Sequence, residues 1–106
     1  MHNSPVTLIG QETLRSAGRK NAPLRKGLES WAAVVKQARW NNLIDVRKQY
    51  PSADGVKAQN AMTTVLNIKG NEYRLITVID YSIQSVIACE VLTHAQYSKN
   101  NWKTRH

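Results

Sequence analysis

Apolar residues recur along this chain with two different periods, and the change of period divides it. From Leu24 onward, Leu24, Leu28, Trp31, Val35 and Ala38 are spaced by three and four, the repeat of a helix with one buried face. Asn21-Ala22-Pro23 opens that helix, since proline suits a first turn whose N–H has no intrahelical partner. Gly27 near its start weakens it only slightly. Ahead of it, Val6-Thr7-Leu8-Ile9 is a short β-favouring run closed by Gly10. Residues 12–17 then read as a helix with Gly18 as its stop. After Trp40-Asn41, Asn42 caps a third helix over 43–48, with Leu43, Val46 and Tyr50 as its inner face. Tyr50-Pro51-Ser52-Ala53-Asp54-Gly55 reads as a turn, because proline biases its predecessor away from helix and Asp-Gly marks a reversal.

A β pattern takes over at Thr63. The runs 63–68 and 73–79 are separated by Lys69-Gly70-Asn71-Glu72, which predicts a hairpin. A polar loop over 80–85 leads to 86–92, the third strand of a meander. Thr93 is a good N-cap, so a helical turn opens at His94 and runs through Tyr97. The polar, basic residues 100–106 are expected to fray. The predicted class is α+β: N-terminal helices packed on a small antiparallel sheet and closed by a short C-terminal helix, in one domain over 1–106.

Composition narrows the class of partner. Fifteen Lys+Arg stand against seven Asp+Glu, a net charge of +8, while hydrophobic residues at 42% are enough for a small core. Such a charge on a compact body draws polyanions. It is concentrated: residues 15–48 hold nine basic side chains (Arg15, Arg19, Lys20, Arg25, Lys26, Lys36, Arg39, Arg47, Lys48) against Glu29 and Asp45. The one cysteine, Cys89, rules out an internal disulfide framework and fits a reducing cytoplasm. No apolar run is long enough for a membrane span, and Met1-His2-Asn3-Ser4 does not read as a signal peptide.

Most enzyme classes lack their residues here. The sequence has no phosphate-binding glycine loop, no GxSxG and no metal-ligand spacing among His2, His94, His106 and Cys89; no metal or cofactor is expected. A cluster remains around the meander: Lys69, Asn71, Tyr73, Arg74, His94 and Tyr97. Each alone has an ordinary structural explanation. A histidine after a strand is usually a cap or a surface residue, the tyrosines can be core, and a lysine on a hairpin turn guards an edge. Together they match metal-free RNA cleavage. One group takes a proton from a ribose 2′-OH, another protonates the leaving 5′-oxygen, and cations hold the charged phosphorane. Tyr73 or Tyr97 could stack on an unpaired base, and Arg74 within a strand should face a cleft.

The same residues carry a resemblance. Val65-Leu66-Asn67-Ile68-Lys69-Gly70-Asn71-Glu72-Tyr73-Arg74-Leu75-Ile76 resembles the FNIxGNxYRLI signature of HigB toxins, and Val91-Leu92-Thr93-His94-Ala95-Gln96-Tyr97 resembles their closing VLTHAxY motif. Upstream, Ala38-Arg39-Trp40-Asn41-Asn42 followed by Tyr50-Pro51-Ser52-Ala53-Asp54 is similar to the family's AxW and FPSAD segment, so the likeness spans about 24–99. It implies the RelE/ParE superfamily and its microbial-RNase-like fold. It further implies ribosome-dependent cleavage of translated mRNA in the A site, in the cytoplasm. The implied partner is a HigA-like helix-turn-helix antitoxin, which represses the shared operon, so DNA is reached only through the antitoxin. Carried over by motif, Arg74 becomes the phosphate clamp, His94 and Tyr97 the proton-transfer groups, and Lys69, Asn71 and Tyr73 the RNA contacts. The basic stretch over 15–48 becomes a docking surface for ribosomal RNA.

Three positions depart from the family pattern. Cys89 stands where relatives commonly carry Arg or Lys, which removes a cation and about 2–4 kcal/mol of transition-state stabilisation. Leu66 replaces a usual Phe, a packing change, and Ser98 replaces a usual Asp. An attenuated toxin is therefore one alternative, and a non-catalytic basic module binding RNA or DNA is another. The module explains the charge but leaves the two motifs unexplained. A gyrase-poisoning ParE-type relative would lack the His94–Tyr97 pair.

Overall fold

A computed structural model describes residues 6–106, so the readings of residues 1–4 lie outside it. The described chain opens with a strand, β1 (Thr7–Ile9), followed by α1 (Gln11–Gly18), α2 (Ala22–Gln37) and α3 (Leu43–Gln49). Four more strands follow: β2 (Asp54–Lys57), β3 (Met62–Ile68), β4 (Tyr73–Asp80) and β5 (Ser85–Thr93). The chain closes with α4 (His94–Ser98) and a 3-10 turn (Asn101–Thr104). All five strands form one sheet in the order β1-β5-β4-β3-β2.

The helices form where local chemistry and the apolar stripe agree. Asn21 caps α2 by accepting from the Leu24 N–H at 3.0 Å, and Leu24, Leu28, Trp31 and Val35 are the buried face. Asn42 caps α3 in the same way, its side chain accepting from the Asp45 N–H at 3.0 Å. The β1-to-α1 corner requires glycine: Gly10 has φ +91°, and a Cβ there would strike the Ala88 carbonyl of β5. Gly27 brings α2 down onto the sheet, since a Cβ there would lie 3.1 Å from Ile68 Cγ2.

Three expectations need correction. The sheet is mixed, not purely antiparallel, because β1 pairs parallel to β5 with Thr7 opposite Ser85 and Ile9 opposite Ile87. Asp54-Gly55 is not a turn but the start of edge strand β2, antiparallel to β3; the chain reverses earlier, at Pro51-Ser52. Residues 100–106 do not fray. Trp102 is fully buried, the Gln59 N–H donates to the Lys103 carbonyl at 2.9 Å, and the Asn60 N–H donates to the His106 carbonyl at 3.0 Å. Arg105 Nη2 and His106 Nε2 lie 2.9 and 2.7 Å from the Glu90 carboxylate. A buried indole and an ion cluster dock this segment against β5.

The sheet therefore has two covered faces. On one, Leu14, Leu24, Leu28, Trp31 and Val35 from the helices pack on Leu66, Ile68, Leu75, Val86 and Ala88. On the other, Val65, Ile76 and Leu92 form a smaller cluster closed by Ala58 and Trp102.

Candidate functional site

Strand alternation sorts the site residues before any side chain is considered, because neighbours along a strand point to opposite faces. In the register, Arg74 lies opposite Asn67 and Leu92, and Ile76 lies opposite Val65 and Glu90. Arg74 thus shares the face of Trp102, away from the helices. Tyr73 falls on the other face, opposite Ile68 and Thr93. There it packs against the main core, and its hydroxyl accepts from Asn21 Nδ2 at 2.9 Å. The expected role of Tyr73 as a base-stacking platform has no geometric support: its ring ties the hairpin to the start of α2.

Arg74 is half-buried and held by the turn beside it. Its Nη1 donates to the Asn71 and Tyr73 carbonyls at 3.0 and 3.2 Å. No carboxylate pairs with it among the described residues, so the rest of the fork is open to an incoming anion. Its guanidinium carbon lies 5.7 Å from the centroid of the Tyr97 ring, within cation–π range. Tyr97 in turn stacks on Trp102, with centroids 5.4 Å apart and planes at 17°, and the Trp102 Nε1–H donates to the Tyr97 carbonyl at 3.1 Å. The phenol is thereby fixed from two sides. Burial pushes its pKa above the usual tyrosine value and the Asp54 carboxylate pushes it further, with Arg74 pulling the other way. At neutral pH this phenol stays protonated.

The remaining expected residues lie at the margin. His94 is exposed at the start of α4, where its backbone N–H donates to the Glu72 carbonyl at 3.0 Å and joins the helix to the hairpin turn. Thr93 and Gln96 form a reciprocal capping box behind it. Asn71 accepts from Asn67 Nδ2 at 3.2 Å and offers its carbonyl to Arg74, so it shapes the turn that aims the guanidinium. Lys69 pairs with Glu72 at 2.8 Å, and that bond holds its ammonium above the usual lysine value.

Other residues belong to this face without having been expected there. Asp54 lies opposite Val65, on the Arg74 side, with Arg47 Nη2 3.7 Å away. Lys103 Nζ sits 5.9 Å from the Trp102 centroid. A depression of about 310 Å³, lined by Glu90, Leu92, Gln96, Lys99, Asn101 and Arg105, extends the face beside α4. Cys89 occupies a β-bulge, since Ile76 pairs with Glu90 and Thr77 with Ala88, leaving it unopposed beside the second cluster. Burial and the Glu90 charge push its thiol up, so it is not a ready nucleophile.

The basic stretch over 15–48 does not form one surface. Arg15, Arg19 and Arg25 line a groove between α1 and α2, Arg47 reaches Asp54, and Lys48 pairs with Asp45 at 3.5 Å. Among the described residues, no helix is long and apolar enough to cross a membrane, and no group of three His, Cys, Asp or Glu side chains is placed to hold a metal ion.

No curated protein matches the chain. A family model described as HigB_toxin, RelE-like toxic component of a toxin-antitoxin system, matches residues 24–100. That span includes β2 to β5, α4 and the Arg74–Tyr97 pair. The chain belongs to the HigB toxin family and is a RelE-like toxin of a toxin-antitoxin system, with an antitoxin as its partner.

Proposed function

We propose that this toxin is an endoribonuclease that cuts translated mRNA in the ribosomal A site, in the cytoplasm, on a RelE-like, microbial-RNase-like sheet. One observation carries the reading: Arg74, free of any carboxylate partner among the described residues, lies against a tyrosine ring locked by Trp102 on the sheet face opposite the helices. A cation with open donors beside a neutral phenol suits phosphoryl chemistry in which charge develops on phosphate oxygens.

In this mechanism His94 removes the ribose 2′-OH proton, and the 2′-oxygen attacks phosphorus. Arg74 holds the phosphorane oxygens. Tyr97 gives its proton to the 5′-oxygen as the P–O5′ bond breaks, leaving a 2′,3′-cyclic phosphate and a 5′-hydroxyl. Tyr97, protonated at neutral pH and fixed against Trp102, takes the acid role, and the base role falls to His94. Asn71 positions Arg74. Ribosomal RNA is contacted by the exposed Lys20, Lys26, Lys36 and Arg39, and the cognate partner is a HigA-like helix-turn-helix antitoxin.

The test is induction in cells followed by mapping of mRNA 5′ ends, repeated with purified ribosomes. Cuts at a fixed codon phase bearing 5′-hydroxyls are expected. Arg74→Ala and Tyr97→Phe should each lower cleavage by about 10²–10³. Unchanged cleavage by Arg74→Ala, or 5′ ends with no codon phase, would overturn the mechanism.

A further inference from the structure

The groove between α1 and α2 lies on the helical side of the sheet, opposite Arg74 and Tyr97, and has no part in the chemistry above. We infer that it is the docking site for an acidic, amphipathic segment of the antitoxin. The inference rests on the family assignment and not on the nuclease reading.

The groove measures about 390 Å³. Leu14, Leu28 and Ala32 close its floor, and Arg15 of α1 and Arg19 just after it face Arg25 from α2 across it. The two helices lie close together at the Gly18 end, where a Cβ would fall 2.9 Å from Arg25 Cβ. Three guanidiniums there have little internal compensation. Arg15 and Arg19 share one carboxylate, Glu12, at 2.9 and 3.3 Å, with their side chains about two-thirds exposed. Among the described residues, the Arg25 side chain reaches only the Gly18 carbonyl, its Nη1 donating at 3.3 Å. Exposed pairs of this kind are weak and readily exchanged for a better carboxylate partner. Guanidinium forks suit bidentate capture of Asp and Glu side chains.

Two features favour a protein occupant over RNA. Among the described residues the lining contains no aromatic ring on which a base could stack, and its floor of Leu14, Leu28 and Ala32 offers apolar surface that a phosphate backbone does not use. An aliphatic floor between two antiparallel helices suits the Leu or Ile stripe of a third helix, the helix-in-groove mode of recognition. The occupant is therefore a helix with apolar residues every three to four positions and carboxylates on its flanks. Seated there, it leaves the Arg74–Tyr97 face uncovered, so neutralisation acts by bulk and charge on the helical side.

The experiment compares the full-length toxin with its Arg15→Glu/Arg19→Glu variant, both sites being solvent-exposed. Each is titrated with the antitoxin encoded beside the toxin gene and, separately, with purified ribosomes. The Arg15→Gln/Arg19→Gln variant, with its thermal melt, separates charge loss from misfolding. Antitoxin affinity should fall at least tenfold in the charge reversal and less in the glutamine variant, while ribosome binding falls by a smaller factor than antitoxin binding in both. Unchanged antitoxin affinity in the folded reversal would overturn the inference. Loss of ribosome binding with antitoxin binding intact would also overturn it and make the groove an RNA surface. Because binding is read directly, a toxin that cuts no RNA would leave this result interpretable.

Discussion

Replacing Trp102 with alanine tests whether the C-terminal segment belongs to the core. The indole has no exposed surface, stacks on Tyr97 and donates to the Tyr97 carbonyl. A buried tryptophan removes about 150–250 Å² from water. At about 25 cal/mol per Å² that is about 4–6 kcal/mol, close to the 3–5 kcal/mol seen when large aromatic core residues are truncated. A domain of this size is stable by only about 5–15 kcal/mol. Trp102→Ala should therefore cost about 4 kcal/mol and lower Tm by about 15–30 °C. Trp102→Phe keeps most of the ring but loses the Nε1 hydrogen bond, and should cost about 1–2 kcal/mol. Urea denaturation followed by circular dichroism at unchanged m-value measures both. A loss under about 1 kcal/mol for Trp102→Ala, or for a chain stopped after Asn100, would refute the docking argument and restore a frayed tail.

Further expectations follow from individual contacts. Asn21→Ala removes both the α2 cap and the hydrogen bond to Tyr73, so it should cost about 1–2 kcal/mol in thermal unfolding while cleavage per folded molecule is retained. Burial alone would raise the Glu90 carboxyl, but its bonds and charges with Arg105 and His106 outweigh that and hold it below its ordinary value of 4.5. A carboxylate with a depressed folded pKa contributes stability that is fully present above its unfolded pKa and lost as pH falls through the folded one. Wild-type stability should therefore drop more steeply than that of Glu90→Gln in denaturation series below pH 4.5; parallel curves would reject the tether. Cys89→Arg adds a guanidinium beside the second cluster and should raise RNA cleavage about 10²-fold in a single-turnover assay. No gain would reject the attenuated-toxin reading.

How much of this was legible in the sequence depends on the range of the interaction that decides each element. The α2 stripe and the β3–β4 hairpin are local patterns, and both lie within a residue or two of their expected bounds. Strand β2 was hidden because Asp54-Gly55 has turn chemistry and only pairing with Thr64 and Val65 makes it a strand. The docking of Trp102 was hidden because one indole in a polar run shows no period; its partners Ile76 and Leu92 come from other strands. The split between Tyr73 and Arg74 follows from strand alternation alone, since neighbours along β4 point to opposite faces. Asp54 stands within the Tyr50–Asp54 motif, but only the sheet register brings it to the Arg74 side.

The parallel pairing of β1 with β5 sets an order of assembly. Thr7 waits for Ser85 before it has a partner, and a contact spanning so much chain forms late because its loop-closure entropy must be met first. The Tyr97 ring likewise gains its stacking partner only after residue 102 has been synthesised. A nascent chain on its own ribosome thus passes through nearly its whole length with the Arg74 face unbuilt. Residues 74, 97 and 102 must therefore all have been made before that face can form, however early the helices and the hairpin are in place.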